Sequence, residues 1–392
     1  WTIWMTNCDM DVLPDFSYFM PTEIRFKAGC LNELAVCSRA LGQKPFLLTG
    51  RHSARATGAL DRALAQLPNA VVYDKVEENP TTGQCDAAAQ VCREAGCDVV
   101  IAIGGGSPMD VAKAVAGLAL NEGPCAAFIG SGLFAAGALP IIAVPTTAGT
   151  GSEVTPYAVL IDATEHQKRT IKGRALFPRV ALLDPELTAP LPPEVTVYTG
   201  LDALSQGMEG LVSRQHTAVG DILALEVCRL VARWLPRAVH YPHDLEARGG
   251  MLLAAMLSGC VIAQSGTTLV HGMGYYYTLH CGLQHGQANG LLLAPVFRHN
   301  AAHLPEAVAS IAAALGCAGP PEEAGSNITR AIHALFDACG VSPAARDAGV
   351  DESLLAGFAK DCHADPYRFK NQVGELTEHD VLRFYLESWR GA

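Results

Sequence analysis

Short apolar runs alternate with segments of helical periodicity along the first half of the chain. The apolar runs predict buried strands at residues 45–49, 70–73, 98–103, 140–144 and 180–183. Apolar residues at helical spacing predict helices between them, at residues 53–66, 85–95 and 107–120. Strands that alternate with helices indicate a parallel sheet with helices on both faces, so this half is predicted to be an α/β domain.

The pattern changes at residues 188–193, where the sequence TAPLPP forms a stiff, helix-breaking connection. The segments beyond it are long, rich in Ala and Leu and poor in β-branched runs, which predicts helices. A length of 392 residues also exceeds one ordinary core. We therefore predict two domains, an α/β domain over residues 1–193 and an all-α domain over residues 194–392.

Composition and charge exclude several classes of protein. The chain is 49% hydrophobic and 17% charged, which is typical of a compact globular protein. Its formal net charge of -11 comes without a cluster of Lys and Arg, so we expect neither nucleic acid nor an anionic membrane as a partner. The apolar stretches are shorter than the ~20 residues that span a bilayer. Residues 1–5 do not resemble a secretory signal.

The 13 cysteines are scattered, and no two of them form a C-x-x-C pair. This pattern is typical of free, mostly buried thiols in a reducing compartment. We therefore expect a cytoplasmic protein.

A glycine-rich turn follows the strand predicted at residues 98–103. Gly104, Gly105 and Gly106 lack side chains and would let a pyrophosphate approach the backbone closely. Ser107 begins the next helix, and Pro108 lies in its first turn. The N–H groups and the dipole of that helix N-terminus favour an anion. The same sequence is also compatible with a simple strand-to-helix turn.

A second polar loop follows the strand predicted at residues 140–144. Its hydroxyl groups, on Thr146, Thr147 and Thr150 among others, could line a nucleotide and its ribose. A polar surface loop is the alternative. Two such loops at the carboxyl ends of parallel strands are where this architecture binds ligands.

The helical half contains a set of residues with metal-ligating chemistry. Asp202 and Gln206 are four residues apart and share one face of a helix. His271 and His285 follow, with Tyr275 between them. One carboxylate, one amide oxygen and two imidazoles could hold a divalent transition metal with a position open for substrate. Histidines buried in a core for structural reasons are the alternative.

The order of these motifs resembles the iron-containing (group III) alcohol dehydrogenase family, from about residue 18 to residue 300. The resemblance is carried by the following sequences: GGGSPMDVAKAVA, PTTAGTGSEVT, DPELT, TGLDALSQGMEG, VHGMGYYY and QHGQANGLLLAP. It implies a Rossmann-like dinucleotide-binding domain followed by a helical domain that binds the metal and the substrate. It also implies NAD(P)-dependent hydride transfer between a primary alcohol and a small aldehyde, and we expect a homodimer.

The resemblance assigns site residues in both domains. The residues that match positions at which the family contacts its dinucleotide are Asn79, Gly104, Gly105, Gly106, Ser107, Asp110, Thr146, Thr147, Thr150 and Lys168. Asp202, His271 and His285 match metal ligands of the family.

The sequence departs from the family at two positions of the site. Gln206 stands where the family commonly has a histidine ligand, and an amide oxygen is the weaker ligand. The site could therefore hold Fe²⁺, Zn²⁺ or another divalent ion through three protein ligands, or hold none. Tyr275 stands where many members have a histidine near the nicotinamide. Its phenol could pass a proton or close the pocket.

The turn after the strand at 45–49 bears on the choice of dinucleotide. In the family an acidic residue in this turn favours NAD, whereas here the turn contains Gly50, Arg51 and Ser53. Arg51 and the Ser53 hydroxyl could bind the 2′-phosphate, so NADP(H) is predicted to be preferred over NAD(H). The alternative is a helix cap by Ser53 beside a solvated Arg51.

Two other functions remain open from the sequence. One is a metal-independent reductase of the same superfamily, similar to maleylacetate reductase. The other is a member that binds nucleotide without catalysis. The sequence does not identify the aldehyde.

Overall fold

The computed structural model describes residues 15–162 and 167–392. The signal-peptide prediction, which concerns residues 1–5, lies outside the described residues. The described chain forms two compact units, one of residues 20–191 and one of residues 192–392 together with 15–19. In the second unit the side chain of Gln264 bonds both the backbone N–H and the carbonyl of Phe19. The division into domains after residue 193 stays a prediction.

The first unit contains a parallel sheet and a small second sheet. Its strands are β1 (Glu23–Phe26), β2 (Pro45–Gly50), β3 (Val71–Val76), β4 (Val99–Gly104), β5 (Gly130–Ser131), β6 (Ile141–Pro145), β7 (Tyr157–Asp162), β8 (Gln167–Lys172) and β9 (Val180–Leu183). Its helices are α1 (Leu34–Leu41), α2 (Ser53–Ala56), α3 (Ala59–Gln66), α4 (Thr82–Glu94) and α5 (Gly106–Leu118). The parallel sheet has the order β1-β9-β6-β4-β2-β3, which confirms the predicted α/β fold.

Both faces of the parallel sheet are buried. Along β2 and β4, Phe46 and Val100 pack in one apolar cluster, whereas their neighbours Leu47 and Ile101 pack in another. Because successive strand residues point to opposite faces, burial of both faces requires continuous apolar runs. This is why the central strands could be predicted from the sequence.

Several elements of the first unit differ from the prediction. The predicted helix at 53–66 is wrong, because α2 and α3 are separate helices joined through Gly58, whose φ is +71°. The sequence pattern also missed β1 and the three-stranded sheet β5-β8-β7. Residues of β7 alternate between half-buried and buried, and β8 is mostly polar, so neither strand forms the continuous apolar run of a central strand.

The order in which strands are added to the sheet reverses between β2 and β4, which are parallel neighbours. From β2 the chain continues outward to β3, and it then returns to β4 on the other side of β2. Ligands of open α/β sheets bind outside the carboxyl ends of strands at such a switch point. In this sheet those strand ends are Gly50 and Gly104.

The second unit is helical throughout residues 192–392. Its helices are α6 (Pro193–Val212), α7 (Ala218–His240), α8 (Leu245–Ser265), α9 (Leu269–Cys281), α10 (His285–Asn300), α11 (Pro305–Ala314), α12 (Ala324–Cys339), α13 (Leu355–Ala364) and α14 (Glu378–Arg390). Among the described residues, α8 alone is long and apolar enough to cross a membrane by composition. It packs against α6 and α7, and 67% of its most apolar window is buried, as in a core helix.

Candidate metal and cofactor sites

One face of α6 carries three polar side chains in an otherwise apolar interior. Asp202, Gln206 and Glu209 lie at positions i, i+4 and i+7, which brings them onto one side of the helix. All three are at least 97% buried. Buried polar groups require partners, and α8, α9 and α10 supply them.

Asp202 lies at the centre of a cluster formed with His271 of α9 and His285 of α10. The Nε2 atoms of the two imidazoles are 3.5 Å and 3.8 Å from Asp202 Oδ1. One potential ligand atom from each of the three residues lies within 4.8 Å of the other two. Three side chains with potential ligand atoms therefore come together from three helices, and their assignment as metal ligands stays a prediction.

Glu209 holds both the imidazole of His271 and the helix on which it lies. One carboxylate oxygen accepts hydrogen bonds from the backbone N–H of His271 and from the N–H and hydroxyl of Thr268. The other accepts the hydrogen bond from Nδ1 of His271. The carboxylate thus satisfies free N–H groups at the start of α9 and directs Nε2 of the ring toward Asp202. Sequence reasoning assigned no role to Glu209, although its i+7 spacing from Asp202 is visible.

The charges of the cluster are strongly coupled. Although burial opposes the charged form, the carboxylates of Glu209 and Asp202 raise the pKa of His271 to about 10. Burial also opposes ionisation of Asp202, but its hydrogen bond with His271 and the charge of His285 lower its pKa. A proton on His271 therefore balances negative charge in the protein without an ion, and a divalent cation would supply that charge in its place.

Gln206 is placed differently from the other residues proposed as ligands. Its Oε1 accepts a hydrogen bond of 2.7 Å from the Ser258 hydroxyl, and its Nε2 donates to Asp202 Oδ2 at 3.2 Å. In this orientation the amide supports Asp202 and its oxygen is engaged by α8. The assignment of Gln206 as a ligand stays a prediction. It requires the amide to rotate so that its oxygen faces the cluster.

Asn289 is a further polar residue that the sequence analysis missed. It lies one turn after His285 on α10, and its Nδ2 is 3.1 Å from Asp202 Oδ1 and 3.2 Å from His285 Nε2. Two glycines allow the helices to converge here. A Cβ atom at Gly286 would overlap the carbonyl of Tyr198 on α6, and one at Gly274 would overlap the side chain of Asn289.

Tyr275 lies flat against the cluster. Its ring stacks on that of His285, with centroids 5.4 Å apart and an interplanar angle of 16°. The guanidinium carbon of Arg368 lies 5.0 Å from the same ring. A catalytic role for Tyr275 stays a prediction, and the geometry places its ring next to a proposed metal ligand.

In the first unit the two loops predicted to bind the dinucleotide lie against each other. Gly104 ends β4 and Thr146 follows the neighbouring strand β6, and the N–H of Thr146 donates to the carbonyl of Gly104. A Cβ atom at Gly105 would lie 3.1 Å from the hydroxyl of Thr147, and one at Gly106 would lie 3.1 Å from Thr150. The glycines therefore allow contact between the loops as well as close approach of a phosphate.

A buried lysine ties the second loop to α5. Nζ of Lys113 donates to the hydroxyls of Ser152 and Thr155, and Ser152 in turn donates to Asp110. Asp110 also accepts from the N–H of Val159, and burial raises its pKa to about 6. Asp110 thus lies inside this network, and Ser107 lies in the first turn of α5.

The remaining residues predicted to contact the dinucleotide lie near the carboxyl edge of the sheet or on β8. Arg51 follows Gly50, the last residue of β2, and forms a 2.6 Å ion pair with Glu77, which follows β3. The turn itself contains no carboxylate, but the structure brings Glu77 from the end of the neighbouring strand beside Arg51. Ser53 is the first residue of α2, and the cap position is His52 without a side-chain cap, so the alternative of a Ser53 cap is wrong.

Asn79 follows β3 and adopts a left-handed conformation with φ of 52°. Lys168 lies on β8, and its charge lowers the pKa of Asp110, although burial makes the larger contribution and raises it. Together with the loops at Gly104 and Thr146, these residues give the edge of the sheet polar groups, backbone N–H groups and positive charge.

The donors of the helical cluster fit a divalent transition metal. A carboxylate and two imidazoles are common ligands of iron and zinc, and a carboxylate that holds the second nitrogen of a ligating histidine is typical of such sites. With the oxygen of Gln206 turned toward Ser258, a metal held by the other three side chains would keep further positions for substrate or solvent. The fold and this cluster are those of an oxidoreductase with a candidate site for a divalent metal.

Comparison with known proteins agrees with the geometry. The family model described as iron-containing alcohol dehydrogenase matches residues 21–185, and its C-terminal counterpart matches residues 196–389. The chain belongs to the iron-containing alcohol dehydrogenase family. The predicted resemblance and the assignment as an alcohol dehydrogenase are therefore confirmed.

Three relatives illustrate the similarity. Alcohol dehydrogenase 4 of Schizosaccharomyces pombe is 35% identical over 78% of this chain and 74% of its own length. The crystal structure of a 1,3-propanediol oxidoreductase superposes with a TM-score of 0.91 at 30% identity, covering 96% of this chain and 100% of that one. A sulfoacetaldehyde reductase from Bifidobacterium kashiwanohense, solved with NAD+, superposes with a TM-score of 0.86 at 32% identity, covering 96% and 99%.

Proposed function

We propose that this protein interconverts a small aldehyde and its primary alcohol by hydride transfer with NADP(H), with a divalent ion held by Asp202, His271 and His285. The observation that carries the proposal is the convergence of these three side chains from three helices. Membership of the chain in the iron-containing alcohol dehydrogenase family supplies the reaction class.

The chain's own residues have distinct tasks in this reaction. The backbone at Gly104–Ser107 and the N-terminus of α5 would bind the pyrophosphate, because free N–H groups and the helix dipole favour an anion. Glu209 fixes the ring of His271 so that only Nε2 faces the cluster. A bound divalent ion supplies Lewis acidity toward the carbonyl oxygen of the substrate. Tyr275, beside His285, would close the pocket or pass the proton that the alcohol requires.

NADP(H) is the cofactor we expect to be preferred. Arg51 is half exposed at the end of β2 and could turn from Glu77 to a 2′-phosphate, which offers a charge-assisted, bidentate contact. Glu77 opposes this preference, because its carboxylate already pairs with Arg51 and would repel a 2′-phosphate there. NAD(H) is therefore the competing cofactor, and a relative of known structure was solved with NAD+.

A metal-independent reductase is the second candidate function. The orientation of Gln206 favours this function. Gln206 replaces the family's histidine ligand, and its oxygen accepts a hydrogen bond from Ser258 instead of facing the cluster. We further propose a cytoplasmic homodimer, which sedimentation of the purified protein would test. In support of a reducing compartment, the twelve cysteines within the described residues are free and nine are buried.

Reduction of a panel of short aldehydes tests the function, with NADPH and NADH oxidation followed by absorbance. We expect turnover that is lost on incubation with a chelator and restored by Fe²⁺ or Zn²⁺. Turnover that persists in a preparation shown by elemental analysis to be metal-free would favour the metal-independent reductase. A folded protein that oxidises neither cofactor with any aldehyde would contradict both functions.

A further inference from the structure

Arg368 passes along α9 next to the proposed metal ligands. It belongs to a short 3-10 helix, Pro366–Phe369, which follows α13 and packs against α9. Its side chain lies against Gly272, where a Cβ atom would be 3.2 Å from the Cβ and 3.4 Å from the Cδ of the arginine. Gly272 directly follows His271, so the missing side chain leaves room for the arginine beside the cluster.

Most of the Arg368 side chain is buried, and its Nε is among the buried atoms of the described residues without a hydrogen-bond partner. The side chain of Arg368 is 18% exposed, and its Nε lies 3.2 Å from Asp365 Oδ2. Within residues 15–162 and 167–392, no hydrogen bond joins its guanidinium nitrogens to another residue. Asp365 is itself 41% exposed and also accepts from the N–H of Tyr367. Burying the Nε–H donor without an acceptor is costly, and the two terminal nitrogens of the guanidinium carry the other four N–H donors.

The ring of Tyr275 connects this cation with the cluster. It stacks on His285 at 5.4 Å and has the Arg368 guanidinium carbon 5.0 Å from its centroid. The positive charge is thus one aromatic ring away from a proposed metal ligand. A short molecule whose carbonyl lies at the cluster would reach the guanidinium with a group a few bonds from that carbonyl.

We propose that Arg368 binds an acidic group of the substrate, so that the aldehyde carries a carboxylate, sulfonate or phosphonate a few bonds from its carbonyl. The inference rests on the proposed function for the identity of the reacting group. A planar guanidinium forms paired hydrogen bonds with oxyanions of this kind, and partial burial strengthens them. In the absence of substrate Asp365 pairs with the guanidinium, and its carboxylate competes with the acidic group of the substrate.

Matched pairs of aldehydes test this specificity. Succinic semialdehyde is compared with pentanal, and sulfoacetaldehyde and phosphonoacetaldehyde with propanal. We expect Arg368→Met to reduce the ratio of kcat/KM for the acidic over the neutral aldehyde at least ten-fold, mainly through KM. Arg368→Lys should retain part of the preference, because lysine keeps the positive charge but lacks the paired N–H donors of a guanidinium. Asp365→Asn keeps an oxygen for the N–H of Tyr367 and should raise the ratio.

Lys370→Met is the matched control, since it removes an exposed cation two residues away and should leave the ratio unchanged. Comparing carboxylate, sulfonate and phosphonate in the wild type shows which acid the site prefers. A wild type that prefers the neutral aldehydes, or a ratio that Arg368→Met does not change, would overturn the proposal and leave the proposed function standing.

A binding measurement separates this inference from the reaction itself. Ethanesulfonate and butanoate cannot be reduced, and their binding to the full-length protein is measured by isothermal titration calorimetry. Binding that Arg368→Met weakens at least ten-fold, in a protein without turnover on any aldehyde, would support the acid-binding role while the proposed function fails. Absence of binding in the wild type, or equal binding in the variant, counts against the role of Arg368.

Discussion

The carboxylate of Glu209 accepts hydrogen bonds from both the backbone N–H and the Nδ1 atom of His271. These residues are 62 positions apart and lie on different helices, α6 and α9. One buried side chain therefore sets the position of the α9 N-terminus and the orientation of an imidazole. The remaining nitrogen of that imidazole faces Asp202, 3.5 Å away.

Glu209→Gln should weaken metal binding by about 10- to 100-fold, because the amide removes the charge that fixes the ring and raises its basicity. Affinity is measured by competition with a coloured chelator. Glu226→Gln, which changes an exposed carboxylate on α7, is the control. Equal affinity in wild type and Glu209→Gln would show that the contact does not tune the site.

Asp202→Ala and His271→Ala should each release the metal and stop turnover, whereas Gln206→His should increase metal affinity. A histidine at 206 would add an imidazole on the same face of α6 and complete four protein ligands. It need not improve catalysis, since an extra ligand can fill the position that the substrate requires. Elemental analysis of the wild type and the three variants measures how much metal each protein binds. A fully active wild type without metal, together with normal turnover of His271→Ala, would exclude the metal-assisted reaction.

Gly105→Val should abolish dinucleotide binding while the protein stays folded. The larger side chain would block the pyrophosphate and press on the hydroxyl of Thr147, already 3.1 Å from a Cβ at this position. Fluorescence titration with NADPH and circular dichroism are the measurements. Gly357→Val is the matched control, because a Cβ at Gly357 has no atom within 4 Å. Unchanged NADPH affinity in a folded Gly105→Val would refute the loop assignment.

Arg51→Ala should weaken NADPH binding by about ten-fold and change NADH binding little, since the lost contact is to the 2′-phosphate alone. Glu77→Gln should have the opposite effect on NADPH, because it frees Arg51 and removes a negative charge. Titration of each variant with both dinucleotides provides the comparison. Equal losses for the two dinucleotides in Arg51→Ala would remove the argument for phosphate recognition.

Glu153→Gln should stabilise the protein at pH 8 relative to pH 5. Burial raises the pKa of Glu153 from 4.5 to about 7, despite the nearby charge of Lys113. The folded state therefore binds more protons than the unfolded state between these values, so the wild type loses stability as pH rises through about 7. An amide does not ionise, and the gain at pH 8 should be on the order of 1 to 3 kcal/mol.

Thermal unfolding at the two pH values measures this difference. The exposed Glu186→Gln serves as control, and Asp110 and Lys113 are unchanged in both variants. A difference between Glu153→Gln and wild type that is the same at pH 5 and pH 8 would show that Glu153 is ionised to the same extent in the folded and unfolded states.

Sequence periodicity was informative where an element is buried in a regular way. The central strands are apolar on both faces and the helices of the second unit carry long apolar stretches, so both were predictable. β8 is as long as β4 but mostly polar, and a glycine with positive φ divides the predicted helix at 53–66. In such cases pairing with a neighbour or a local turn decides the structure, and periodicity contains neither.

The sequence by itself determined the central strands, the glycine loop after β4, and the polar face of α6 that carries Asp202. Each of these depends on residues that are near one another in the chain. Only the tertiary structure decided which residues are partners: Glu209 with His271, Arg51 with Glu77, and Arg368 with Tyr275. Periodicity specifies which face of an element is buried, but the element that packs on that face is chosen by the packing of the whole unit, and that packing supplies the partners.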